Sequence, residues 1–271
     1  SRVMKIRSLL LVLISGSNYE CSTRPNYMGK QLININSYDL VVHIGQGKTG
    51  TTSIQRFLKR NAEHIGKQGI QYLDYYLETL IDNKIGQQIF RDVNKVPTKD
   101  SIIFKSLNSA LETRKRNTTL LWSNESILKN KNVLEAILEL RKDYKICVIA
   151  YVRNLDSLSV SAYSQWGIKH KTYRGVVKGY IDFCKTRFVY SSYSCLLQWE
   201  EVFGNDFFIR NFDAVEDALT DFLETLQIQT VEPKLENSKN NVNRLRKSFI
   251  YGHSITLLMK ALFLRHFFGV F

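Results

Sequence analysis

One lysine, two glycines and three threonines lie within seven residues of the end of a short, largely apolar run near the start of the chain. The run occupies residues 40–45, and the polar set after it consists of Gly47, Lys48, Thr49, Gly50, Thr51 and Thr52. Backbone N–H groups at the start of a helix have no partner within the helix, and the helix dipole adds roughly +0.5 charge there. Glycines let the backbone approach a ligand, while the lysine and the hydroxyls add donors. The spacing therefore predicts a loop that binds phosphate or sulfate between a strand and a helix.

The loop departs from the nucleotide-triphosphatase pattern G-x-x-x-x-G-K-S/T. Counted back from Lys48, the first glycine of that pattern would fall at position 42, where Val42 stands. Residues 48–52 instead resemble the 5′-phosphosulfate loop of sulfotransferases that use 3′-phosphoadenosine 5′-phosphosulfate (PAPS). The resemblance implies that PAPS is bound by residues from Gly47 to Thr52. An ordinary strand-to-helix turn is the alternative interpretation.

A second basic position follows another apolar run. Residues 144–152 are typical of a strand buried on both faces of a parallel sheet, and Arg153 stands at its end, before a helix opened by Asn154. Ligands of open α/β sheets bind at the carboxyl ends of strands. In sulfotransferases, an Arg at this place and a Ser about two helical turns later bind the 3′-phosphate, so the resemblance assigns that role to Arg153 and Ser161. A surface arginine and an unrelated helical serine are the alternative.

Glu125 is the candidate general base. Residues 117–122 predict a third strand, and Ser123 and Glu125 follow at the edge that Lys48 and Arg153 are expected to share. A carboxylate beside a sulfuryl donor can accept the proton of an attacking hydroxyl. The resemblance also implies a base at this edge. Alternatively, Ser123 caps the next helix and Glu125 lies in its first turn, where carboxylates are favoured.

Other side chains are weaker candidates for the base. His43 belongs to the first strand, which favours a place in the core. Glu63 and His64 fall at the far end of the first helix, roughly 16 Å from the loop. His170 could line an acceptor groove, although a solvated turn suits its lysine-rich surroundings better.

The resemblance extends over roughly residues 39–230. Residues 193–203 predict a helix that Gly204 ends, and a strand over 206–212 and a helix over 214–226 follow, in the order that glycan-modifying bacterial sulfotransferases share.

Strands alternate with helical segments along the 271 residues, which predicts an α/β fold. With the resemblance, the expected architecture is a three-layer sandwich with a central parallel sheet and a P-loop-like strand-loop-helix. We expect residues 1–38 to form an N-terminal extension and residues 39–271 a single sulfotransferase-like domain.

The charge balance favours anionic ligands. Lys and Arg number 38 against 25 Asp and Glu, a formal charge of +13, which suits an anionic cofactor and an anionic acceptor such as an acidic polysaccharide. Nucleic acid is the competing interpretation, but no basic helix, zinc-binding spacing or aromatic stacking motif supports it. Ser53 stands where many cytosolic sulfotransferases have a Trp, and glycan-directed relatives often lack that Trp. We therefore expect a carbohydrate or a small hydroxylated molecule as acceptor.

Signals of location conflict. The cysteines lack C-x-x-C spacing and Cys147 lies in an apolar strand, which favours free buried thiols and a cytoplasmic protein. Residues 4–17 have the basic start and short apolar run of a secretory signal, too short to span a membrane.

Late in the chain, residues 236–247 form a candidate basic lid, and residues 248–271 predict an apolar helix packed on the core.

The sequence thus predicts a sulfotransferase that moves a sulfuryl group from PAPS to a hydroxyl or amine, with no metal implied. Two alternatives remain open. A P-loop kinase would use ATP and magnesium, with Thr49 at the metal, but the strand-end Asp that it needs is not found. A non-catalytic module would bind a nucleotide or polyanion through the same loop.

Overall fold

A computed structural model of the chain describes residues 31–77, 98–171, 173–186 and 191–230. The predictions for residues 4–17, 236–247 and 248–271 lie outside the described residues.

Within these ranges, five strands form one parallel sheet in the order β2-β3-β1-β4-β5. The strands are β1 (Leu40–Gly45), β2 (Ile70–Tyr72), β3 (Thr119–Ser123), β4 (Ile146–Val152) and β5 (Phe207–Asn211). The helices described are α1 (Thr51–Arg60), α2 (Ala62–Gly66), α3 (Ile102–Thr113), α4 (Lys131–Leu140), α5 (Leu155–Ala162), α6 (Tyr180–Thr186), α7 (Ser191–Phe203) and α8 (Ala218–Thr225).

Both faces of the central strand are buried. Val41 on one face of β1 packs in a cluster with Ile54 of α1 and Phe222 of α8, while Leu40 and Val42 on the other face have no exposed surface. A strand buried on both faces needs helices on both sides of the sheet. The predicted α/β fold with a central parallel sheet is therefore confirmed.

The starts of β3 and of α8 differ from the predicted positions, and each difference has a local cause. The strand predicted at residue 117 begins at Thr119, because Asn117 has a φ of 62°, outside the extended region. The helix predicted at residue 214 begins at Ala218, because Asp217 Oδ2 accepts a hydrogen bond from the N–H of Thr220 at 2.7 Å and caps the helix there.

The chain divides into two compact units. The described part of the first, within Gly29–Val152 and Cys195–Lys234, contains the sheet with α1, α3, α4 and α8. In the second, Arg153–Ser194 contains α5, a π-helix over Tyr163–Lys169 and α6. That unit has its own small core of Ala162, Phe183 and Cys184.

Among the described residues, no cysteine forms a disulfide. Cys147 and Cys184 are buried, as predicted, and Cys195 is half-buried. Among the described residues, every helix is too short or too polar to cross a membrane.

His43 is a core residue, which confirms the interpretation from its place in β1. Its side chain is fully buried between the rings of Tyr151 and Phe222, at centroid distances of 5.7 Å and 5.0 Å. Nδ1 lies 2.7 Å from the Ser123 hydroxyl oxygen, and among the described residues Nε2 has no hydrogen-bond partner. Burial lowers the pKa of His43 from 6.5 to about 3.

This burial predicts a loss of stability in mild acid. Because the pKa of His43 is lower in the folded chain than in the unfolded chain, the unfolded state takes up the proton first between pH 6.5 and about 3. Stability is unaffected above pH 6.5 and falls below it, by about 2 kcal/mol at pH 5. Urea unfolding at pH 7.5 and pH 5 measures this change, and His43→Leu should reduce the pH dependence by that amount. Replacement of the exposed His170 by Gln is the control, and an equal reduction there would contradict the assignment.

Candidate anion-binding and catalytic site

The loop between β1 and α1 has two residues in the left-handed region. Lys48 has a φ of 76° and Gly50 a φ of 77°. For lysine this conformation costs roughly 1–2 kcal/mol, and strain of this kind concentrates at functional sites. Gly50 is the N-cap of α1, and since it has no side chain, it cannot cap the helix as Ser or Asp would. The first N–H groups of α1 thus have no side-chain cap, and uncapped N–H groups at the start of a helix favour the binding of an anion.

Hydrogen bonds fasten this loop to itself and to the sheet. The N–H of Gln46 donates to the carbonyl of Tyr151 at 3.1 Å, so the contact between β1 and β4 continues past the end of β1. The buried Thr49 hydroxyl donates to the carbonyl of Gln46 at 2.7 Å and lies 3.5 Å from the Thr51 hydroxyl. Thr52 is exposed. These hydrogen bonds restrain the backbone of the loop.

Two glycines are required by close packing around the loop. A Cβ on Gly50 would lie 2.8 Å from Cβ of Ala218 and 3.3 Å from the ring of Phe212. A Cβ on Gly45 would lie 3.0 Å from the Thr49 hydroxyl oxygen. The loop thus rests directly against α8.

A buried ionic network fixes α8 to the sheet, and sequence analysis missed it. The Tyr151 hydroxyl donates to Asp221 Oδ2 at 2.5 Å, and Nε of Arg210 donates to the same oxygen at 2.9 Å. The other Asp221 oxygen accepts from Nη2 of Arg210. Burial, together with the charge of Asp221, raises the pKa of Tyr151 well above its ordinary value. A two-point arginine-carboxylate pair has a defined geometry, so it sets the position of the helix that contacts Gly50.

Glu125 begins a 3₁₀ turn, Glu125–Lys129, directly after β3 and Asn124. Asn124 caps the turn, because its Oδ1 accepts from the N–H of Ser126 at 2.9 Å. The alternative is wrong about the cap, since Ser123 belongs to β3 and its buried hydroxyl contacts His43. Its other part is confirmed, because Glu125 lies in the first turn. The side-chain amide of Gln55 in α1 donates to Glu125 Oε2 at 2.9 Å. Glu125 is therefore joined to the helix that follows the Lys48 loop.

A tyrosine lies beside Glu125. The Tyr75 hydroxyl oxygen is 2.6 Å from that of Ser126, and the Tyr75 carbonyl accepts from Trp122 Nε1 and Asn124 Nδ2 at 3.1 Å and 2.9 Å. Burial raises the pKa of Tyr75; the hydrogen bond to Ser126 acts against this, and the charge of Glu125 adds to it. The tyrosine is thus a polar neighbour of Glu125 that sequence analysis did not identify.

Arg153 and Ser161 belong to the second compact unit. Arg153 is buried directly after the last residue of β4, and its Nε donates to the Ser157 hydroxyl at 3.1 Å. Its carbonyl accepts from the Tyr193 hydroxyl. Ser161 is half-buried near the end of α5. Sequence analysis missed Ser157, although its spacing of four residues from Arg153 is the spacing of helix neighbours. The assignment of Arg153 and Ser161 to a phosphate stays a prediction.

The other candidate bases, Glu63, His64 and His170, are exposed or half-buried residues at the surface. His64 in α2 lies 3.1 Å from the carbonyl of Gln229, and Glu63 pairs with Lys67 on the surface. His170 is exposed after the π-helix.

Comparison with known proteins gives little further information. No family model matches the chain, and no curated protein sequence matches it. Among solved structures, retinol dehydratase in a complex with retinol and PAP is similar with a TM-score of 0.31 and 12% identity, over 85% of this chain and 69% of that chain. A similarity with so low a TM-score says nothing about the ligand or the reaction of this chain.

The close packing at Gly50 predicts that Gly50→Ala destabilises the chain. The new methyl group would overlap Ala218 and would stand on a residue with positive φ, so the expected cost is about 2–3 kcal/mol of unfolding free energy. Gly66→Ala is the matched control, because a Cβ at Gly66 meets nothing within 4 Å. Urea unfolding at neutral pH compares the two variants. Equal stability of Gly50→Ala and the wild-type chain would contradict the packing described here.

Proposed function

We propose that the chain is a PAPS-dependent sulfotransferase. The observation that carries the proposal is the connection of Glu125, through Gln55, to the helix that the Lys48 loop precedes. The proposed anion loop and the proposed base thereby belong to elements that meet at one edge of one sheet. Transfer of a charged group to a hydroxyl needs both.

The topology of the sheet supports a ligand at this edge. β1 and β4 are neighbours, but the chain leaves β1 toward β2 at one side of the sheet and leaves β4 toward β5 at the other. Open α/β sheets bind ligands at the carboxyl ends of strands where the connections diverge in this way. The residues directly after these two strand ends are Gln46, which opens the Lys48 loop, and Arg153.

We assign the 5′-phosphosulfate of PAPS to the loop that runs from Gly47 to Thr52. The N–H groups at the start of α1 and the Lys48 ammonium would counter the negative charge that grows on the leaving phosphate. Arg153 and Ser161 are assigned to the 3′-phosphate, on the family resemblance of the sequence. The Thr49 hydroxyl already donates to Gln46, which leaves Thr51 and Thr52 as the hydroxyls for the ligand.

Glu125 is the proposed base. The acceptor oxygen would attack sulfur, its proton would pass to Glu125, and the bond between sulfur and the phosphate oxygen would break to release adenosine 3′,5′-bisphosphate (PAP). For the acceptor we propose a hydroxyl of a carbohydrate or of another small molecule, on the basis of the net charge of +13 and of Ser53 after the threonines. The cytoplasmic location stays a prediction.

The two alternatives from the sequence gain no support. A kinase would need the Thr49 hydroxyl at a magnesium ion, whereas this hydroxyl is buried and donates within the loop. A module that only binds an anion would not need a carboxylate held at the same edge.

Nucleotide binding tests the proposal directly. A thermal-shift titration of the wild-type chain should show binding of PAP in preference to ATP with magnesium, because two separate phosphate positions suit PAP. Lys48→Ala should weaken PAP binding roughly 10- to 100-fold, since a charge-assisted contact is lost. Lys67→Ala, which removes a surface lysine paired with Glu63, is the matched control and should leave binding unchanged.

The same titration tests Arg153. Arg153→Ala should remove the preference for PAP over AMP, which lacks the 3′-phosphate, and the ratio of the two affinities does not depend on the stability of the variant. Preference of the wild-type chain for ATP would favour the kinase, and no nucleotide binding at all would contradict the proposed function.

Glu125→Gln should separate binding from turnover. The amide cannot accept a proton at neutral pH, so we expect kcat to fall roughly 10²- to 10⁴-fold while PAP affinity stays within about twofold. Release of PAP from PAPS in the presence of a panel of mono- and oligosaccharides measures kcat. Glu135→Gln, an exchange on the exposed side of α4, serves as control. Unchanged kcat in Glu125→Gln would exclude this residue as the base.

A further inference from the structure

We propose that Gln55 is a positioning residue that holds the Glu125 carboxylate in place for proton transfer. This inference rests on the proposed role of Glu125 as base. It adds a residue that neither the loop pattern nor the family resemblance indicated.

The amide of Gln55 makes two hydrogen bonds to the segment after β3. Its Nε2 donates to Glu125 Oε2 at 2.9 Å and to the carbonyl of Ser123 at 3.2 Å. A side-chain amide has two N–H donors, so one can serve each acceptor. The bond to the Ser123 carbonyl fixes the amide on the sheet, and the bond to Oε2 then fixes the carboxylate.

Gln55 also lies where it can couple the base to the anion loop. It follows Thr51 by four residues in α1, so both side chains belong to the same face of this helix. The first turn of α1 carries the N–H groups proposed to bind the donor, and the second turn carries the amide that holds the base. A shift of α1 would therefore move the two together, which keeps their separation constant.

A neutral donor suits this task better than a cation. A lysine or arginine at position 55 would also orient Glu125, but its charge would favour the carboxylate strongly and make it a weaker proton acceptor. An amide also orients the carboxylate, but it stabilises the negative charge less than a cation does. Since the bond uses Oε2, we assign the proton of the acceptor to Oε1.

The test is the turnover of PAPS with the panel of saccharides, measured as separate kcat and KM values. Gln55→Met removes the donor, so kcat should fall about tenfold with the KM for PAPS unchanged. In the Glu125→Gln background the same substitution should lower kcat no further, because the group that Gln55 positions is already absent. A loss of packing alone would lower kcat in both backgrounds.

Arg56→Met is the matched control, because Arg56 is the exposed neighbour of Gln55 in α1. Its kcat should stay within about twofold of the wild type.

The outcomes separate the two proposals. Unchanged kcat in Gln55→Met, or an equal further loss of kcat in the Glu125→Gln background, overturns the role of Gln55. A wild-type chain that shows no thermal shift with PAP overturns the proposed function itself.

Discussion

The parallel pairing of β1 with β4 is the constraint on which the candidate site depends. The two strands are in register from Leu40 opposite Ile146 to Gly45 opposite Tyr151, and both are buried along their whole length. A slip of β1 by one residue would exchange the side chains of the two faces and would remove His43 from Ser123, so the packing of both faces specifies this register. It places the ends of β1 and β4 at the same edge of the sheet, and the Gln46–Tyr151 hydrogen bond extends the pairing into the loop itself.

Helix α1 connects the loop after β1 to the end of β3. Its N-terminus carries the loop, its apolar residues Ile54 and Leu58 are fully buried against the sheet, and Gln55 between them reaches the end of β3. A helix buried on one side and hydrogen-bonded at another has little freedom to rotate. Lys48 and Glu125, which are far apart in sequence, are thus connected through one rigid element rather than through two independent loops.

The sequence predicted the parts of this arrangement that depend on local pattern. Unbroken apolar runs identified β1 and β4, and a Gly-Lys-Thr run after an apolar strand indicated the loop. The place of Glu125 after β3 followed from the rule that strand ends share an edge. The sequence left Ser123 open as the cap, because both Ser123 and Asn124 are good caps and only the pairing with β1 shows that Ser123 is still in the strand.

The remaining features depend on contacts between distant segments, which no local pattern encodes. The ionic network joins residues of β4, β5 and α8, namely Tyr151, Arg210 and Asp221. In the sequence, each of them alone is indistinguishable from an ordinary core or surface residue. The same is true of Gln55, a polar residue on a helix that could equally have faced solvent. Sequence periodicity places a residue on a face of its helix, but it does not say which side chain the neighbouring element will present.

The contact of Gly50 with Phe212 and Ala218 has a consequence for the order in which the chain matures. The ribosome completes β1 and the loop early, but the surface against which the loop rests is made only when β5 and α8 have been synthesised. Because contacts so distant in sequence form late, the loop after β1 lacks the surface that it packs against until residues 207–225 have been made. The loop would then take its final position in one step, when β5 and α8 dock, and not gradually as the polypeptide lengthens.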